Sequence, residues 1–262
     1  QLGRSLGLGR FITAQPSARP GWSGNGMVAT LNGTGFMFER RDRFADAFIA
    51  WAGETKRPVL EVGCAYGVSP LPALEAGGIV TASDMEPGHL EILEKKVPAH
   101  LRGNLELVVG KLPEMDFPAG RFHGILCSRV LHFLTGEEVE ASVQKMARWL
   151  APGGRLFLVA DTPYGIWRKA IPQFEEGKRN GERWPGMMVG LHNYLATGKP
   201  AKPIEKPPFM NVMDHELMAR TCREAGLEVI DADFIPRPDF GGLGSMDGRE
   251  NAGVIAVKPS PP

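Results

Sequence analysis

VLEVGCAYG, residues 59–67, is an apolar run closed by a small, glycine-bracketed turn from Gly63 to Gly67. With Pro58 it reads as a strand, Pro58 to Val62, whose chain turns at Gly63 into a helix over about Tyr66 to Glu75. Glycine at such a turn lets the backbone approach a ligand closely, and the helix N-terminus behind it favours negative charge.

Outward from this stretch, short apolar runs alternate with helical patterns. GIVTAS (Gly78 to Ser83), LELVV (Leu105 to Val109), HGILCS (His123 to Ser128) and RLFLVA (Arg155 to Ala160) read as further strands. Helices fall on HLEILEKKV and on EEVEASVQKMARWL, the latter stopped by Pro152 and the Gly153-Gly154 pair. After Thr162 the period is lost, and it returns with a helix on DHELMARTCREAG and strands Leu227 to Ile235 and Ala252 to Val257. The expectation is an α/β fold: a doubly wound, mostly parallel seven-stranded sheet with helices on both faces and right-handed connections. The organisation read from these patterns is a loosely ordered arm over 1–37 and a core over 38–162. A lid or substrate insertion over 163–212 and the rest of the core over 213–262 complete it.

Thirty basic residues balance thirty acidic ones among 262, so no global field draws the chain to a polyanion. A dedicated nucleic-acid binder or a membrane-surface protein is disfavoured, and no apolar run reaches the length of a membrane span. The insertion departs locally from neutrality, with eight basic residues against four acidic ones between Thr162 and Pro208, and the stretch before Met37 holds three arginines and no acid. Cys64, Cys127 and Cys222, odd in number and widely spaced, form neither a disulfide framework nor a metal knuckle, and a cytoplasmic setting is expected.

A dinucleotide fingerprint needs Gly at three positions of G-x-G-x-x-G, and from Gly63 the second and third are Ala65 and Val68. Present instead is Glu-x-Gly-x-Ala-x-Gly, on Glu61, Gly63, Ala65 and Gly67, with Asp84 at the end of the second strand. Together with WLAPGGRLFLV, these residues resemble the class I S-adenosylmethionine-dependent methyltransferases, and the resemblance runs from Pro58 to the C-terminus. It implies the Rossmann-like fold, S-adenosylmethionine as cofactor and a transferase acting on a methyl acceptor, with a small molecule as the leading reading. A protein or peptide acceptor and a non-catalytic nucleotide-binding module are the alternatives.

The resemblance also implies roles. The backbone of Gly63, Cys64, Ala65 and Gly67 would run beside the methionine part of the cofactor, with Glu61 orienting the site. Asp84 would accept from both ribose hydroxyls, its other reading being a helix cap, and Met85 would lie against adenine. Where the family often places an Asp after the third strand, this chain has Gly110-Lys111-Leu112, so adenine falls to Glu114 or to the backbone at Lys111 and Leu112. Ser128 and Arg129 would meet the amino-acid end of the cofactor, whose carboxylate suits a guanidinium. If the acceptor needs a general base, His132 is the first candidate and Tyr164 the second, each with a pocket-wall role as its alternative. Asp161-Thr162-Pro163-Tyr164 resembles the motif of nucleic-acid base methyltransferases but lies after the wrong strand for one.

Overall fold

Along residues 150–161, Leu156, Leu158 and Ala160 enter one apolar core while Phe157 and Val159 enter another. Such alternation marks a strand covered on both faces. The computed structural model describes residues 27–34, 36–197 and 203–261. Its elements run β1 (Met27–Ala29), β2 (Phe36–Phe38), α1 (Arg43–Thr55), β3 (Pro58–Val62), α2 (Pro70–Glu75), β4 (Ile79–Asp84), α3 (Pro87–Lys96), β5 (Leu105–Val109) and β6 (Phe122–Ser128). There follow α4 (Gly136–Trp149), β7 (Leu150–Asp161), α5 (Ile171–Arg179), β8 (Met187–Val189), β9 (Phe209–Asn211), α6 (His215–Glu224), β10 (Glu228–Ile235) and β11 (Asn251–Val257).

The central sheet has the order β10-β11-β7-β6-β3-β4-β5. Its strands are parallel except β11, which is antiparallel to both β7 and β10. The order reverses at β3, which lies between β4 and β6, and the crevice beyond the carboxyl ends of such strands is where open α/β sheets bind ligands. Buried residues of α1 and α3, among them Phe44, Phe48 and Leu93, fill one core, while those of α4 and α6, among them Val143, Met146 and Cys222, fill the other. Their starts are chemically marked: Asp42 caps α1 through the N–H groups of Phe44 and Ala45, and Thr135 with Glu138 forms a capping box on α4.

Two local expectations change. The helix after β3 begins at Pro70 rather than near Tyr66, because Ala65 and Gly67 adopt left-handed φ angles of 44° and 85° that no helix accommodates. Within the proposed arm, Met27–Ala29 and Phe36–Phe38 pair as a hairpin, and the arm's residues 1–26 lie outside the described residues. Three-residue strands are too short to show a period, and tertiary contacts described below hold this one.

The insertion is packed. Phe174, Met188 and Leu191 are fully buried in the α4–α6 core, and β8 pairs with β9. Lys178 pairs with Asp214 and Glu216, and Arg183 pairs with Glu140 and Glu224. No helix among the described residues is long and apolar enough to cross a membrane.

Gly186 gives a test of this packing, since a Cβ there would sit 1.7 Å from the Val212 carbonyl oxygen, and backbone cannot swing aside. Gly186→Ala is expected to lower stability by about 1 to 3 kcal/mol, the scale of overpacking. Urea denaturation should show the loss in a single transition, because the insertion shares the core of the sheet.

Candidate active site

Beyond β3 the chain doubles back under β4: the N–H groups of Gly63 and Cys64 both donate to the Ser83 carbonyl, at 2.8 and 2.9 Å. A Cβ on Gly63 would lie 2.4 Å from Val130 Cγ2 and one on Gly67 2.3 Å from Leu93 Cδ1, so both glycines are needed for space as well as for φ. Ala65 takes a left-handed φ without a glycine's freedom, and its N–H is held by Asp84 Oδ2 at 2.9 Å. Cys64 contributes backbone only. Its thiol is buried and pushed well up by that burial and by Glu61 and Asp84, so it is neither a thiolate nor a ligand.

Asp84, at the end of β4, is the most connected carboxylate of the site. Oδ2 accepts from Ala65, and Oδ1 accepts from the Glu86 N–H at 2.9 Å and from His89 Nδ1 at 3.0 Å. Burial alone would raise its pKa, but the bonds from His89, Glu86 and Ala65 outweigh that and hold it below the ordinary value. A carboxylate has about four lone-pair directions, so these three described donors leave one, on Oδ2. The cap of α3 is Glu86, which accepts from Gly88 N–H. Next door, Glu61 is 6% exposed, and its Oε2 has no partner among the described residues. Burial and then the Asp84 charge push Glu61 well above its ordinary value, which favours its neutral form.

On the β4–β5 side, Met85 is 49% exposed at the rim. Lys111 points outward to Glu114 at 3.5 Å, so both charged side chains face solvent, whereas Leu112 is buried. The peptide backbone of this segment is therefore what the cleft is offered.

On the β6–β7 side, Arg129 follows Ser128 at a left-handed φ of 60°. Its guanidinium does not face the glycine turn. It pairs with Asp161, bonds Asn251 Oδ1 at 3.2 Å, and lies over the rings of Phe38 and Phe240, at 4.9 and 5.3 Å. Arg237 stacks on the same two rings and binds Asp239 through both Nε and an Nη. Arg129 thus spends one Nη on Asp161 and Asn251, while its buried Nε has no partner among the described residues and remains available to an acceptor.

His132 is 1% exposed, and its Nδ1 accepts from the Asp161 N–H at 3.0 Å. An N–H can only donate, so Nδ1 is bare and the neutral ring carries its proton on Nε2. Burial lowers its pKa to about 4. A base needs a free lone pair, and in this tautomer His132 has none. Tyr164 is no better placed: its hydroxyl donates to Glu175, Arg249 covers its ring at 3.7 Å, and burial followed by Glu175 raises its pKa.

The β1–β2 hairpin crosses this cleft. Tyr66 Oη donates to the Ala29 carbonyl at 2.8 Å, Leu31 N–H donates to His89 Nε2 at 3.0 Å, and Phe38 packs on Phe240 with ring centroids 4.4 Å apart. Sequence reading singled out neither His89 nor Phe38. For His89 a signal existed, since with Leu93 and Val97 it recurs at four-residue spacing on the apolar face of α3, where a histidine needs a reason.

Residues 59–154 match a family described as a methyltransferase domain. That stretch is a methyltransferase domain. The chain is similar to the cypemycin N-terminal methyltransferase of a Streptomyces species, 36% identical over 121 residues that cover 44% of this chain and 48% of that protein. This chain therefore spans about half the length of that relative. Among solved structures it resembles a 1,6-didemethyltoxoflavin-N1-methyltransferase of Burkholderia thailandensis with bound S-adenosylhomocysteine. There the TM-score is 0.55 and the identity 18%, over 84% of this chain and 80% of that one. It also resembles the glycopeptide N-methyltransferase MtfA complexed with S-adenosylhomocysteine, at TM-score 0.53 and 19% identity over 82% and 88% of the two chains. At these identities the likeness is one of fold.

The methyltransferase domain offers the cofactor suitable groups: the unpartnered Glu61 Oε2, the remaining lone pair of Asp84 and a turn with no side chain at Gly63 or Gly67. Because the folded-state pKa of Glu61 is raised, its protonated form favours folding below about pH 4.5, and that stability is lost as pH rises toward the raised value. Glu61→Gln is expected to melt higher than the parent, with a difference smallest at pH 4 and growing through pH 7 in thermal scans. For the methyltransferase domain's histidine, His132→Asn places Oδ1 where Nδ1 accepted. Methyl transfer should stay within about fivefold of the parent, well short of the ~100-fold or larger loss that removing a general base brings.

Proposed function

We propose that the protein transfers a methyl group from S-adenosylmethionine to a nitrogen of a small-molecule acceptor. The observation that supports this reading is the hairpin held beside the strand termini, to Tyr66 and His89 at one end and to Phe240 at the other, which favours a small acceptor over a long chain. When bound, the cofactor supplies the activated methyl group. It passes to the nitrogen lone pair as its bond to sulfur breaks, and the electron pair stays on sulfur. The chain's work is alignment and exclusion of water.

Each residue near the strand ends has a part in that alignment. Glu61 would meet the ammonium of the amino-acid tail, releasing its own proton to solvent so that the two charges pair. The remaining lone pair of Asp84 accepts from one ribose hydroxyl, and Met85 lies along adenine, with the peptide groups at Lys111 and Leu112 reading its edge. Ser128 flanks the tail. His132, fixed by the Asp161 backbone, offers Nε2–H to the pocket, and Tyr164 is a wall. Neither His132 nor Tyr164 holds a free basic lone pair, so an acceptor that brings its own, an amine or ring nitrogen neutral at the working pH, fits best. The insertion, with Phe174, Met188 and Leu191 in the core, serves as a fixed wall of the pocket. The cypemycin enzyme's name favours a second reading, a peptide N-terminus as acceptor, and the same chemistry serves it.

Calorimetric titration tests the cofactor. S-adenosylhomocysteine should bind and raise the melting temperature, NAD should do neither, and Asp84→Ala should weaken binding by about 1.5 to 3 kcal/mol, the range for a bond to a charged group. Mass spectrometry of amine, heterocycle, phenol and peptide panels then decides the acceptor. Methylation of phenols in preference to nitrogen would count against the reading.

A further inference from the structure

His89 has both ring nitrogens engaged in a fully buried site: Nδ1 with Asp84 Oδ1 at 3.0 Å, and Nε2 with the Leu31 N–H at 3.0 Å. The Leu31 N–H can only donate, which leaves Nε2 bare and puts the proton on Nδ1, pointing at the carboxylate. One imidazole thus joins the acid at the end of β4 to the segment that covers the cleft. The Tyr66 ring packs edge-on against His89 at 4.8 Å, and its hydroxyl holds Ala29, two residues from Leu31. Both anchors of the hairpin's near end therefore stand on residues adjoining Asp84 and the glycine turn.

We propose that His89 is a positioning residue for the cofactor's ribose and that it couples ribose binding to docking of the hairpin. This rests on the reading of Asp84 as the ribose acceptor. Nδ1–H fixes Oδ1 so that Oδ2 keeps its one open lone pair toward the cleft. The ring is itself held in that tautomer and orientation only while Leu31 is docked. Linkage then makes the effect reciprocal: cofactor binding tightens the hairpin by the same factor that a docked hairpin tightens cofactor binding.

The two ring nitrogens can be separated by substitution. Asn reproduces a donor near the Nδ1 position and lacks the Nε2 acceptor, whereas Gln places an acceptor near Nε2 and offers Asp84 no donor. In the full chain, His89→Gln is expected to bind S-adenosylhomocysteine about ten- to a hundredfold more weakly, the scale of a lost bond to a charge. Hydrogen exchange at residues 27–34 should stay as slow as in the parent without ligand. His89→Asn and Tyr66→Phe should both speed that exchange and weaken binding by about fivefold, the low end of ordinary coupling. In the parent, S-adenosylhomocysteine should slow exchange of the same segment, and in His89→Gln it should not.

Unchanged affinity in His89→Gln, or faster hairpin exchange in Tyr66→Phe with affinity intact, overturns the coupling. Tyr66→Phe leaves the His89–Asp84 bond in place, so it decides the matter even if substitution at His89 disturbs folding. A parent protein that fails to bind S-adenosylhomocysteine would instead sink the cofactor reading on which this inference rests.

Discussion

The Asp84 carboxylate is where the β3–β4 half of the molecule is tied together. It fastens the left-handed Ala65 turn, the entry to α3 and the buried His89, and through His89 it reaches the hairpin. An ionised group buried this far is tolerable only when donors replace the water it has lost. Three protein donors do so here, and each restrains a different segment. The demands of one charge therefore impose order on a loop, a helix start and a cover that share no secondary structure.

That arrangement also sets the state of its neighbour. Two carboxyl groups close together in a buried setting do not both ionise readily, and the one with more donors keeps the charge. Asp84 has three donors, while Glu61 has an oxygen with none. The result is a pair of carboxyl groups with opposite shifts, Glu61 raised and Asp84 lowered. The difference arises from hydrogen bonding rather than from residue type.

Across the sheet the same physics gives a different outcome. Arg129, Asp161, Asn251, Arg237 and Asp239 are bonded to one another, and both guanidinium groups lie over the rings of Phe38 and Phe240. Breaking such a buried network strands charges, which costs far more than parting an exposed pair. This end of the hairpin is thereby fixed strongly, whereas its other end hangs on two neutral hydrogen bonds, from Tyr66 and to His89. Any opening of the cleft is expected at the Tyr66–His89 end, next to Asp84.

The order and type of the core elements were legible in the sequence because they rest on local signals: apolar runs bounded by Gly and Pro, and helices marked at Asp42 and Thr135. The turn from Glu61 to Gly67 and its partner Asp84 were legible too, since a close backbone approach demands glycine and a strand end demands a polar residue facing the crevice. What faces what was not legible. Arg129 and Asp161 lie 32 residues apart, Arg129 and Asn251 122 apart, and Leu31 and His89 58 apart. No periodicity within a segment carries such pairings. That Arg129 meets Asp161, that His132 Nδ1 accepts from the Asp161 N–H, and that Met27–Ala29 pairs with Phe36–Phe38 were decided by tertiary structure alone. A side chain's charge, tautomer and free lone pairs follow from its partners, and the chain chooses those partners only when it folds.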